Sequence, residues 1–136
     1  MHQLLQGLKE FTESVYPQKK ELFDKLSNGQ SPHTLFITCS DSRIDPSLIT
    51  QTEPGDLFVI RNAGNLVPTY GASKGGEEAS IEFAVEALKV ENIVVCGHSK
   101  CGAMAALKDG LDKKSLPSVA SWLEHADTTK AVSYTH

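Results

Sequence analysis

The strongest constraint on the fold of this 136-residue chain is a set of three short apolar runs that do not alternate with polar residues. Thr34-Leu35-Phe36-Ile37-Thr38, Leu57-Phe58-Val59-Ile60 and Ile93-Val94-Val95-Cys96 are rich in β-formers, and polar residues or glycine follow each run. A strand with one solvated face alternates, whereas continuous apolar runs suit strands buried on both faces of a helix-covered parallel sheet. Between the second and third runs, residues 75–89 carry a helical pattern whose main apolar face is Ile81, Ala84, Val85 and Leu88. Strand–helix–strand alternation predicts an α/β domain with a parallel β-sheet core flanked by helices and right-handed crossovers. At 136 residues the chain is expected to be one domain, 1–136.

Two helices precede the first strand. Leu4, Leu8, Phe11 and Val15 recur at helical spacing, so residues 2–15 read as an amphipathic helix that Pro17 ends. A second helix, with Leu22, Phe23 and Leu26 inward, stops at Asn28-Gly29. The 75–89 helix has a further apolar side, Ala79, Phe83 and Ala87. That side is either sandwiched within one subunit or forms a subunit interface.

Composition narrows the function classes. Forty per cent hydrophobic and 22 % charged residues describe an ordinary globular chain, and a net charge of −4 without a basic run argues against nucleic acid as partner. No stretch approaches the roughly 18 apolar residues of a membrane span. Met1-His2-Gln3-Leu4-Leu5 lacks a basic n-region and a small-residue cleavage site, and three cysteines point to thiols in the cytoplasm.

The chemistry-bearing residues follow the strands. In a parallel α/β sheet, ligand sites form beyond the carboxyl ends of the strands, and Cys39–Arg43, Arg61–Asn65 and Gly97–Cys101 occupy that edge. A lone cysteine is usually a small buried hydrophobe. Cys39 instead opens the polar pentapeptide Cys39-Ser40-Asp41-Ser42-Arg43. His98 and Cys101, three residues apart at the expected start of a helix, add an imidazole and a second thiol. These three donors suit zinc, and three protein ligands leave a fourth position for water, as in catalytic rather than structural sites. Cys96 reads as strand core, while His33 and His125 fall away from this edge. Asp41 is placed to accept a hydrogen bond at the metal, with Arg43 holding the carboxylate ionised. The alternative for that pair is a surface ion pair of little consequence.

Cys39-Ser40-Asp41-Ser42-Arg43, Arg61-Asn62-Ala63-Gly64-Asn65 and Gly97-His98-Ser99-Lys100-Cys101-Gly102 together resemble the β-class carbonic anhydrases, closest to a bacterial branch that includes cyanobacterial enzymes. The resemblance runs over about residues 1–125. It implies reversible hydration of carbon dioxide to bicarbonate and a proton, one Zn²⁺ per subunit on Cys39, His98 and Cys101, and an Asp41–Arg43 catalytic dyad. It also implies that Asp41 serves as a fourth ligand in a closed, inactive state. Gln30 matches a substrate-binding amide, Phe58 and Ala63 match the lining of a carbon dioxide pocket, and Gly102 offers a backbone N–H. Their plainer readings are a turn residue for Gln30 and strand core for Phe58. Phe83 stands where several members have tyrosine. Members usually continue beyond the point where this chain stops, so the C-terminal part of the family domain is expected to be absent. The resemblance further implies a homodimer or higher oligomer in which the N-terminal helices embrace a second subunit, in the cytoplasm or in a microcompartment such as the carboxysome. Two other readings stand beside it: a hydrolase of a related small molecule such as carbon disulfide, and a zinc domain with an assembly role and little or no turnover.

Overall fold

In the computed structural model, which describes residues 1–72 and 75–127, the first apolar run is the middle of a sheet. Strand β1 (Thr34–Cys39) is buried along its whole length and lies between β2 (Leu57–Asn62) and β3 (Asn92–Cys96), giving the order β2-β1-β3. Both pairings are parallel; Leu35 stands beside Phe58 and Ile93, and Ile37 beside Ile60 and Val95. Residues 131–136, which end the sequence beyond the family resemblance, lie outside the described residues.

The chain divides into two units, Met1–Ser31 and the remainder from Pro32. The first is mainly helical as far as Leu26. Helix α1 (His2–Glu10) leads into a wide turn, Phe11–Val15, then into α2 (Tyr16–Gln18) and α3 (Lys20–Leu26). The expectation that Pro17 ends the helix is corrected here: helical backbone runs through it. In the preceding i→i+5 turn Tyr16 N–H donates to Phe11 O, so the ladder is already shifted before it reaches the residue without an N–H. The rings of Phe11, Tyr16 and Phe23 stack or meet edge-on at 5.3–6.3 Å. The stripe Leu4, Leu8, Phe11 and Val15 remains exposed, with Leu4 at 77 %.

In the second unit the core is Leu35, Ile37, Ile60 and Ala84, with Phe58, Ile81 and Val90 packed against it. Leu35 and Ile37 are two apart and share one face of β1, which is why they meet the same covering helix. Burying each of these side chains stabilises the fold by roughly 1.5–3 kcal/mol. That covering helix is α5 (Gly76–Glu82), continued by a second wide turn, Phe83–Ala87. Ala84, from the main apolar face read in the sequence, is fully buried; Ala79, Phe83 and Ala87 are exposed, so their side is not sandwiched among the described residues.

Burial on both faces holds for β1 and fails for the two strands beside it: Val59 of β2 is 40 % exposed, and Ile93 and Val95 of β3 are 56 % and 55 % exposed. The reason is position: β2 and β3 are both edge strands, and the described residues close over β1 rather than over β3. Cys96, expected as core, is for the same reason only partly buried. A short helix α4 (Pro46–Thr50), capped by the Asp45 side chain on Leu48 N–H at 2.8 Å, connects β1 to β2. Helices α6 (Gly102–Asp109) and α7 (Pro117–Leu123) follow β3.

Candidate metal centre

All three chemistry-bearing segments meet at the carboxyl edge of the sheet. Cys39 is the last residue of β1, so the strand itself fixes its sulfur. His98 and Cys101 lie in the turn between β3 and α6, and Cys101 is the residue that caps α6 rather than a member of it. The expected placement at the start of a helix is therefore corrected to the turn before it. Lys100, at φ +55°, makes the reversal that folds Cys101 back toward His98.

The ligand atoms of Cys39, His98 and Cys101 lie within 4.8 Å of one another. The two Sγ atoms are 3.9 Å apart, and a tetrahedral ion with zinc–sulfur bonds of about 2.3 Å would hold them about 3.8 Å apart. Cys39 and Cys101 are each 5 % exposed. Imidazole Nδ1 of His98 lies 3.0 Å from Ser99 O; donating its proton there leaves Nε2 as the lone-pair nitrogen. That Nε2 is buried and has no hydrogen-bond partner among the described residues. A buried polar atom without a partner costs free energy unless something binds it, and a metal between it and two thiols would do so. Cys39, His98 and Cys101 thus form a candidate metal site, the one such His/Cys/acidic cluster found among the described residues.

Asp41 stands beside it, with Oδ2 3.8 Å from His98 Nε2. The Arg43 guanidinium grips its carboxylate in a fork, Nε–H to Oδ1 at 2.9 Å and Nη2–H to Oδ2 at 2.7 Å, and the Arg43 backbone N–H adds a third bond to Oδ1. These hydrogen bonds hold the Asp41 carboxyl well below the usual carboxylate range. Arg43 Nη2 also donates to Lys100 O at 3.1 Å, tying the Cys39 loop to the Cys101 loop. The pair is more than a surface ion pair, because its cation contacts both ligand-bearing segments.

Several contributors were not assigned roles from the sequence. Arg61 donates from Nε to Cys39 O at 3.1 Å and from Nη2 to Asp41 O at 2.8 Å, fixing the backbone between ligand and carboxylate. Asn62 closes the next loop on itself, accepting from Leu66 N–H and donating to Leu66 O, both at 2.9 Å. Gly64 N–H points at Cys39 Sγ at 3.4 Å. Burial pushes the Cys39 thiol up, but the N–H groups of Gly64 and Asp41, with His98 and Cys101, outweigh it and lower the thiol from 9.0 to about 7. The motif Arg61–Asn65 marked this segment as part of the site; only the fold reveals which atoms act.

The other resemblance-derived residues fall in varied places. Phe58 packs against the core and meets Phe83 at a ring distance of 6.0 Å. Ala63 contributes its carbonyl to Trp122, and Gly102 begins α6. Gln30 is exposed in the N-terminal unit. His33 contacts Thr34 Oγ1, and His125 lies edge-on to Trp122; neither joins the metal cluster.

A parallel α/β sheet with two thiols and an imidazole at its carboxyl edge, flanked by an arginine-held carboxylate, defines the class: an α/β protein with a candidate metal site. Comparison with known proteins gives the family. Residues 34–136 match the family model described as Carbonic anhydrase. The chain is 56 % identical over 131 residues to the carbonic anhydrase of Synechococcus elongatus, covering 96 % of this chain and 48 % of that one. It superposes on the solved β-carbonic anhydrase CcaA with a TM-score of 0.94 at 52 % identity, covering 97 % of this chain and 65 % of that one. A structure reported with two tetrameric β-carbonic anhydrases of Sordaria macrospora matches at 0.79 and 38 % identity, over 96 % and 64 % of the two chains. The chain belongs to the β-carbonic anhydrase family. It spans about half the length of its cyanobacterial relatives, 48 and 51 % of the two.

Proposed function

We propose that this chain carries the zinc centre of a carbonic anhydrase that reversibly hydrates carbon dioxide to bicarbonate and a proton. The observation that carries the reading is the Asp41 carboxylate, forked by Arg43 and 3.8 Å from the imidazole nitrogen of the donor set. A purely structural metal site needs no such group, so it argues against an assembly role. Cys39 and Cys101 as thiolates, with His98 through Nε2, would hold the zinc. When bound, the ion supplies Lewis acidity and lowers the pKa of a coordinated water toward neutrality.

The protein's own residues do the rest. Asp41 stays ionised under Arg43 and acts as an acceptor only, so it takes a hydrogen bond from the nucleophilic oxygen and turns a lone pair toward substrate carbon. Arg61 and Arg43 keep that acceptor in register with the ligands through the carbonyls of Cys39, Asp41 and Lys100. Phe58 and Ala63 are proposed to line the apolar side of the substrate pocket, with the Gly102 N–H as a hydrogen-bond donor to bicarbonate; the family resemblance supports these three, and on that resemblance alone Gln30 is proposed as a substrate-binding amide. Asp41 moving onto the metal would give a closed, resting state. Relatives named carbonic anhydrases at 51–56 % identity support carbon dioxide over a related small molecule.

A homodimer or larger assembly is part of the same reading. Its support is the exposed apolar stripe of α1, the exposed Ala79–Phe83–Ala87 side and the tetrameric relatives. Three free thiols suit the cytoplasm or a compartment within it, and no helix among the described residues is long and apolar enough to cross a membrane. Stopped-flow carbon dioxide hydration, with zinc measured on the same sample, tests the function: stoichiometric zinc without hydration at about pH 8.5 would favour the assembly role. Light scattering that finds only monomer would sink the oligomer.

A further inference from the structure

The peptide unit between Ala63 and Gly64 has both of its polar groups engaged, one toward the metal centre and one away from it. Its N–H, on Gly64, points at Cys39 Sγ at 3.4 Å. Its C=O, on Ala63, accepts a 2.7 Å hydrogen bond from the indole N–H of Trp122 in α7, 59 residues further along the chain. The relay is therefore Trp122 Nε1–H to Ala63 O, then through the amide to Gly64 N–H and Cys39 Sγ.

The surroundings hold this arrangement in place. Gly64 has φ +83°, and a side chain there would stand 2.7 Å from Met104 Cε and 3.1 Å from Ala103 Cβ, so the loop lies close on α6. Asn62 pins the far end of the loop through Leu66. The Trp122 ring is itself fixed edge-on by His125 at 5.3 Å, and its neighbour Leu123 is buried. A donor on an amide oxygen polarises that amide and strengthens the bond its own N–H makes.

We infer that Trp122 is a positioning residue of the metal centre, aiming and polarising the Ala63–Gly64 amide so that its N–H bonds the Cys39 sulfur. The inference rests on the metal-site reading above, and it extends that site to a helix that supplies no ligand. Outer partners of metal ligands typically contribute 10- to 100-fold in affinity, and a partner acting through one amide belongs at the low end of that range.

The test uses the full chain loaded with Co²⁺ or Zn²⁺. Trp122→Phe keeps a ring and removes the N–H. It is expected to move the sulfur-to-cobalt charge-transfer band to longer wavelength and to speed zinc loss to a chelator about tenfold. Trp122 is the one tryptophan in the sequence, so growth on a ring-fluorinated tryptophan alters this N–H alone. Its more acidic donor is expected to shift the band the opposite way without disturbing packing, which preserves the test should Trp122→Phe fold poorly. Leu35→Val, a core change on the central strand, controls for stability and should leave band and release rate as in the parent. The inference is overturned if the band and release rate match the parent in both Trp122 forms, or if Leu35→Val moves them equally. A parent protein that binds neither ion would overturn the metal-site reading itself.

Discussion

Replacing Gly64 with alanine strikes the place where fold and metal centre share a backbone. At φ +83° the residue is in left-handed space, where an L side chain costs about 1–2 kcal/mol. The new Cβ would also meet Met104 Cε at 2.7 Å, forcing that flexible side chain off its rotamer, and Ala103 Cβ at 3.1 Å, which must give way with the start of α6. Displacing the Met104 side chain adds about 0.5–1.5 kcal/mol. The less flexible unfolded chain returns about 0.4–1 kcal/mol. Gly64→Ala is thus expected to destabilise the protein by about 1–3 kcal/mol. Gly71→Ala is the matched control, since Gly71 has φ +77° but nothing within 4 Å of its Cβ position. It should cost about 1 kcal/mol less than Gly64→Ala, the difference being steric. Urea denaturation of the metal-free proteins measures both, and chelator competition reads whether the Gly64 N–H still reaches Cys39. Equal destabilisation by the two substitutions, with parental zinc affinity in Gly64→Ala, would refute the close-packing argument.

Other consequences are more direct. Asp41→Asn should retain zinc and lose about 10²-fold or more in carbon dioxide hydration, since an amide offers a weaker acceptor and no charge; the stopped-flow rate at equal zinc content decides it. His98→Ala should bring zinc stoichiometry toward zero while leaving the far-ultraviolet circular dichroism of the sheet in place, because β1 and β3 pair without it. Zinc affinity should hold down to about pH 7 for Cys39 and then weaken as pH falls, because its thiol is lowered in the folded protein and protons compete for the sulfur only below that point. Isothermal titration between pH 6 and 8 in about half-unit steps would show this as a bend. Thr38→Val removes the fully buried hydroxyl that donates to Cys96 O at 2.9 Å and should cost about 1 kcal/mol in urea denaturation, with little change in volume.

The donor set was legible because each ligand sits next to an apolar run that had to be a strand, and parallel strands deliver the residues beyond their carboxyl ends to one edge. Cys39, Asp41 and Arg43 needed only that reasoning. The helix face of Ile81 and Ala84 was equally plain from its spacing, and Ala84 is at the core. Pro17 misled, because a residue without an N–H ends a helix only where the ladder reaches it in register, and here a wide turn shifts the register first. The third apolar run misled for a different reason: hydrophobicity records what a strand tolerates, whereas Ile93 and Val95 are exposed because β3 lies at a sheet edge that the described residues leave uncovered.

The local pattern along the chain therefore determined which residues are candidates for chemistry and that they would gather at a sheet edge. It could not determine which backbone groups serve them, because such bonds join segments far apart in sequence and depend on ångström-scale geometry. The Gly64 N–H on Cys39, the Arg43 reach to Lys100 O and the Trp122 bond to Ala63 O were decided by packing alone. Every amide has the same polar groups; only the tertiary fold selects which of them faces a sulfur.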